Sequence, residues 1–195
     1  LNYLAHLHLA ELANSHLAAN LLADFVRGKP EGRFSSEVVQ GIYLHRFIDG
    51  QVDSTQQVKA AKQYFPPSLR RFSGIALDMF WDHFLAVHWH QYHDKTLNNF
   101  LHHAELQITQ YHPPHLPERY VKLQQMMWQG RWLESYQQTE NIRFALQRIS
   151  LRRPRFQPLA DCGDYLEKHY DSFEALFFSL YPEMMNRVLE WKKKR

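Results

Sequence analysis

Apolar residues recur along this chain at intervals of three and four, and Pro, Gly and capping residues cut the pattern into helix-length pieces. Leu1–Ala13 is apolar with His6 and His8 embedded in it. Ser15 fits an N-cap for a helix from His16 to Arg27, closed by Gly28 and Pro30. Ser35 opens the next helix, with Gly50 just past its end. Ser54-Thr55-Gln56-Gln57 has capping-box spacing ahead of a helix that stops before Pro66-Pro67. Ser68 caps a long helix reaching about Tyr92. Helices follow over Thr96–Tyr111, broken by Pro113-Pro114, then from Pro117 to near Gly130, then over Thr139–Leu151. After the basic turn Arg152-Arg153-Pro154-Arg155 the chain is helical again from Pro158 to Arg195, with a bend at Pro182. The pattern predicts one all-α domain over residues 1–195, a multi-helix bundle of seven to ten helices.

The informative positions are those where a polar residue stands in an apolar stripe. Ile75, Asp78, Asp82, Leu85 and Trp89 step by three or four and share one helix face, apolar at both ends with two carboxylates between. Val38, Ile42, His45 and Asp49 form a second such stripe, and Leu17, Leu21 and Asp24 a third. A buried carboxylate must be paired or bound to a metal. Salt bridges to Arg satisfy that demand as well as a cation does. Three helices that together offer His45, Asp24, Asp49, Asp78 and Asp82 match the donor set that holds Mn²⁺, Fe²⁺ or Zn²⁺ in helical bundles. His83 lies a quarter-turn from Asp82 and reads as a ligand or, better, as a supporting group or a core histidine bonded to a carbonyl. His6, among Leu4, Leu7 and Leu9, reads by itself as a satisfied core residue. His88, His90, His93, His102, His103, His112 and His115 share no stripe and fit the surface or an interface.

Composition narrows the class. Of the 195 residues 45% are apolar, and the 25 Leu outnumber the 14 Val plus Ile, a balance that favours helix over sheet. A single cysteine, Cys162, excludes an intrachain disulfide and suits a reducing cytoplasm. No apolar run is long enough to span a bilayer and no signal-peptide pattern opens the chain. Leu1 in place of Met points to a non-standard start or a trimmed end. The net charge of +3 permits an acidic partner. Phosphate-loop, nucleophile-elbow and HExxH motifs are absent, and Cys162 has no neighbouring His to activate it.

Several segments carry a family resemblance: Asn2–Ala10, Asn20–Gly28, Gly41-Ile42 through His45-Arg46 to Asp49, Leu77-Asp78 with Trp81–Leu85, and Arg152-Arg153-Pro154-Arg155. Together they resemble the acyl carrier protein phosphodiesterases of bacteria, over nearly the whole chain to about Tyr181-Pro182. The resemblance implies a Mn²⁺-dependent enzyme that hydrolyses the link between 4′-phosphopantetheine and a serine of holo-acyl carrier protein. It also implies kinship with the helical HD phosphohydrolases, although Asp82-His83 reverses their doublet and His93-Asp94 sits at a polar helix end. Asp24 is the ligand and catalytic residue that the resemblance supports best. Water or a site histidine such as His6 or His83 would protonate the departing serine alkoxide, and Arg27 and Arg46, each near an inward Asp, would either steady the phosphate or form plain salt bridges and solvated faces. Arg70 and Arg71, with Arg27, Lys29, Arg33 and the Arg152–Arg155 turn, would dock the acidic carrier protein. Two rival readings are an HD-type phosphohydrolase of small nucleotides and a non-enzymatic helical binding protein with salt-bridged Asp residues.

Overall fold

The computed structural model describes residues 1–194 except His112 and Pro114. The surface reading of His112, the Pro114 half of the helix break and Arg195, the expected end of the last helix, lie outside the described residues. The described residues form eleven α-helices and no strand: α1 (Tyr3–Leu12), α2 (Leu17–Leu22), α3 (Ser36–Ser54), α4 (Gln56–Ala61), α5 (Ser73–Val87), α6 (Leu97–Thr109), α7 (Glu118–Gln129), α8 (Trp132–Ser135), α9 (Thr139–Ser150), α10 (Gly163–Lys168) and α11 (Tyr170–Lys193). The all-α expectation holds. The count exceeds seven to ten because short helices such as α8 and α10 carry too little periodicity to be read from sequence.

Helix α1 lies in the middle. Leu4 through Ala10 are all buried, and α1 packs against α2, α3, α5 and α11. A helix covered on every side is apolar on every side, which is why its sequence shows almost no polar face. Helix α5 is nearly as enclosed, with Met79 through Ala86 buried. One hydrophobic cluster runs from these two helices into Phe173, Phe177 and Tyr181 of α11. Cys162 is buried in it, and its thiol is pushed up to about 12 by desolvation, out of the range of a reactive thiolate.

Several boundaries differ from expectation. His16, not Ser15, caps α2, its Nδ1 accepting the Ala19 N–H at 3.2 Å. The α-helix ends at Leu22 and tightens into a 3₁₀ turn over Ala23–Phe25, so Arg27 lies beyond it. Gly50 does not end α3. Its backbone stays out of the left-handed region that a glycine stop uses, and the helix continues to Ser54. Thr55 rather than Ser54 caps α4, accepting the Val58 N–H at 3.3 Å. Residues after Pro66 form turns, so α5 begins at Ser73, not near Ser68. Thr96 and Pro117 stand at the N-caps of α6 and α7.

Candidate metal centre

α2 and α3 touch at a glycine. A Cβ placed on Gly41 would stand 2.6 Å from the Ala19 Cβ, closer than side chains tolerate. Beside this contact the Asn20 side chain donates to the Gly41 carbonyl at 3.2 Å. The pairing sets the 3₁₀ turn after α2 against the middle of α3, and there Asp24 meets His45.

His45 Nε2 lies 3.2 Å from Asp24 Oδ1 and 3.1 Å from Asp49 Oδ2, the latter one helical turn further along α3. The other oxygen of Asp49 reaches His6 Nε2 of α1 at 3.1 Å. The two imidazoles stack with centroids 4.0 Å apart and planes 19° from parallel. His6 and His45 are buried, while the side chains of Asp24 and Asp49 are 47% and 48% exposed. Nδ1 of each ring is buried without a hydrogen-bond partner, so the carboxylates are the hydrogen-bonding partners of both rings. Donor atoms of His6, His45 and Asp49 all fall within 4.8 Å of one another. They open into a pocket of about 290 Å³ whose lining also includes Tyr3, Asp24, Asp53 and Asp78.

Burial dominates the electrostatics and the carboxylates modify it. Desolvation, with repulsion from His45, lowers His6 to about 4 against the pull of Asp49. Burial disfavours the charged form of His45 too, but bonds to Asp24 and Asp49 outweigh it and raise the group to about 9. Asp49 resists its own desolvation through the same two histidines and is held far below the usual carboxylate range. Two nitrogens and an ionised carboxylate, beside further carboxylates on one open wall, suit a divalent cation.

Asp78 lines the pocket, beside the backbone nitrogen of Leu1. Asp82 is placed differently. It is fully buried; Oδ1 accepts the N–H groups of Asn2 and Ala5 at 3.1 Å, and Oδ2 that of Leu4 at 2.7 Å. The first turn of a central helix has N–H groups that water cannot reach, and the α5 carboxylate satisfies two of them together with that of the N-cap residue Asn2. The partners of this buried Asp are therefore backbone groups, neither an Arg nor the pocket donors. His83 is also outside the pocket lining, with Nδ1 donating to the Tyr136 carbonyl at 2.7 Å and the Tyr170 hydroxyl donating to Nε2 at 3.0 Å. None of the four arginines proposed to bind substrate lines the pocket. Arg27 is exposed, Arg46 donates to the Val26 carbonyl at 2.7 Å, Arg70 reaches the Phe65 carbonyl at 3.4 Å, and Arg71 lies over the Phe72 ring.

The structure adds Asp53 and Tyr3 to the lining. Asp53 continues the His45–Asp49 series by one more turn of α3, a signal masked by the expected stop at Gly50. Tyr3 carries no periodic signal, being the first residue of α1.

A family model for acyl carrier protein phosphodiesterase matches residues 1–184. The chain belongs to the acyl carrier protein phosphodiesterase family. Its family relatives include an acyl carrier protein phosphodiesterase of Klebsiella pneumoniae (strain 342), 47% identical over 99% of this chain and 100% of the relative. One from Yersinia pestis is 47% identical over 96% and 97% of the two chains, and one from Salmonella agona (strain SL483) is 44% identical over 95% and 96%. No solved structure matches the chain.

Proposed function

We propose that this protein is a phosphodiesterase acting on acyl carrier protein. In this reading it hydrolyses the bond between 4′-phosphopantetheine and a serine of the holo-protein, giving apo-carrier protein and 4′-phosphopantetheine, with Mn²⁺ or a similar divalent cation as cofactor. Family membership and relatives of this name over the full chain support the substrate class. The observation that carries the chemistry is the convergence of His6, His45 and Asp49 at the base of an open acidic pocket.

These three residues would hold the cation, with Asp24 beside His45 and Asp78 in the same lining as further oxygen donors. When bound, such an ion lowers the pKa of a water and polarises a phosphoryl oxygen. The chain's own residues prepare the site. Asp49 fixes both imidazoles through its two oxygens, and Asp24 orients His45. His45 must be neutral to act as a ligand, so binding there displaces its proton. With His6 in the ligand set, the phenol of Tyr3 is a neutral donor in the lining that can protonate the leaving serine oxygen; desolvation and the nearby Asp24 charge raise it to about 12 and keep its proton on.

The deciding experiment incubates purified holo-carrier protein with the enzyme, with and without exhaustive chelation, and follows both products by mass. Release of 4′-phosphopantetheine that stops on chelation and returns with Mn²⁺ is expected. Turnover that survives chelation rejects the metal, and turnover of free nucleotides but not of carrier protein rejects the substrate.

A further inference from the structure

A second concavity, of about 220 Å³, lies where the start of α5 meets the 3₁₀ segment over Pro154–Cys162. It is lined by Arg71, Phe72, Ile75, Arg155 and Phe156. The two halves come from segments more than eighty residues apart and are built alike. Arg71 lies 4.6 Å above the ring of Phe72, and Arg155 lies 5.0 Å above that of Phe156. Both guanidinium groups are exposed, and among the described residues neither forms an ion pair. Arg152 and Arg153, on the same turn, are exposed and equally without a carboxylate. Leu151, directly before them, is 82% exposed. A basic rim around an apolar floor, with a large apolar side chain standing in water beside it, is arranged for a partner that brings carboxylates and apolar groups together.

The groove adjoins the candidate metal centre. Ile75 in its lining and Asp78 in the pocket lining are three residues apart on α5, so they share a face about 4.5 Å apart along the axis. The acidic lining of that pocket argues against a nucleic acid, whose continuous phosphates would meet Asp24, Asp49, Asp53 and Asp78 next to the groove.

We infer that this groove docks an acidic amphipathic segment of the protein substrate, with apolar side chains against Phe72, Ile75 and Phe156 and carboxylates on Arg71 and Arg155. The inference rests on the proposed function for the identity of that substrate. Docking here sets the bond to be cut beside the pocket without any contact between the carrier's folded body and the metal ligands. It joins two of the three basic clusters named from sequence into one surface.

The test separates docking from chemistry. Binding of apo-carrier protein, which has no bond to hydrolyse, is measured calorimetrically with wild type, with R71E/R155E and with R71K/R155K. Turnover of holo-carrier protein and of bis(p-nitrophenyl) phosphate is measured on the same preparations. The expected result is a loss of affinity and of carrier kcat/KM of roughly tenfold or more in R71E/R155E, steep salt dependence in wild type, and near-wild-type behaviour of the lysine variant. Turnover of the small diester stays within about twofold, which also reports an intact fold. Equal carrier binding by wild type and R71E/R155E overturns the groove while leaving the proposed function standing. So does an absence of binding to wild type, or self-association of wild type that R71E/R155E abolishes. Failure of wild type to cleave holo-carrier protein, with apo-carrier binding lost only in R71E/R155E, overturns the reaction and keeps the groove.

Discussion

Asp49 is the residue on which the candidate centre turns, because one carboxylate orients two imidazoles from different helices. Replacing it by Ala should lower cation-dependent hydrolysis by about a hundredfold or more, since a ligand and the orientation of two others are lost together. Asp24→Ala removes only one partner of His45 and should cost about 10–100-fold in cation affinity, read by titrating Mn²⁺ against activity and by calorimetry. Asp82 should behave in the opposite way. Asp82→Ala leaves the buried N–H groups of Leu4 and Ala5 and that of the N-cap residue Asn2 without an acceptor, so thermal unfolding should show a loss of about 2–4 kcal/mol. A stable Asp82→Ala protein that has lost only its metal would put Asp82 in the ligand set and refute the capping role.

At the scale of elements, the α2–α3 contact decides whether Asp24 and His45 meet. Gly41→Ala inserts a methyl where 2.6 Å is available, and the nearest neighbour is the Ala19 methyl on a packed helix. The helices must separate, at about 1–3 kcal/mol, and the Asn20 bond to the Gly41 carbonyl must lengthen. Both a lower unfolding midpoint and a weaker Mn²⁺ dependence are expected from this one methyl. An unchanged cation requirement would show that the spacing of α2 and α3 does not set the centre. The family resemblance marked Gly41-Ile42 as a motif, and the contact supplies the physical reason for the glycine.

For the whole molecule, the central position of α1 makes its histidines sensitive to acid. His8 is buried, its Nδ1 accepting from the Tyr181 hydroxyl at 2.6 Å and its Nε2 donating to the Tyr92 carbonyl at 3.1 Å. Burial lowers it to about 4 although the Tyr92 bond favours the proton. The native state therefore holds His8 neutral while the unfolded chain, with its ordinary pKa near 6.5, takes up a proton. The stability it contributes is complete above about pH 6.5 and is lost as pH falls from there toward 4. Urea unfolding of the metal-free protein across that range should show His8→Gln with a shallower acid loss than wild type, by up to about 1.4 kcal/mol per pH unit. Parallel pH profiles for the two proteins would mean that His8 is already charged in the native state. No helix among the described residues is long and apolar enough to cross a membrane.

The sequence by itself determined the helical class, most helix positions and the fact that polar residues stand where apolar ones were due. Period and capping chemistry are local properties, so Thr96, Pro117 and the His45–Asp49 spacing can be read along the chain. The partners of those polar residues are not local. Asp24, His45 and Asp82 carry the same signal, yet the first two bond to each other in the pocket lining while the third caps α1 from inside the core. His6 and His8 are two residues apart on one buried helix; the packing of α3 gives one to Asp49, and that of α11 gives the other to Tyr181. Likewise Arg71 and Arg155 are exposed basic residues until the contact of α5 with the 154–162 segment makes one groove of them. Burial imposes the need for a partner, and the pattern shows that need. Only tertiary packing decides whether a backbone, a carboxylate, or a cation in the proposed centre fills it.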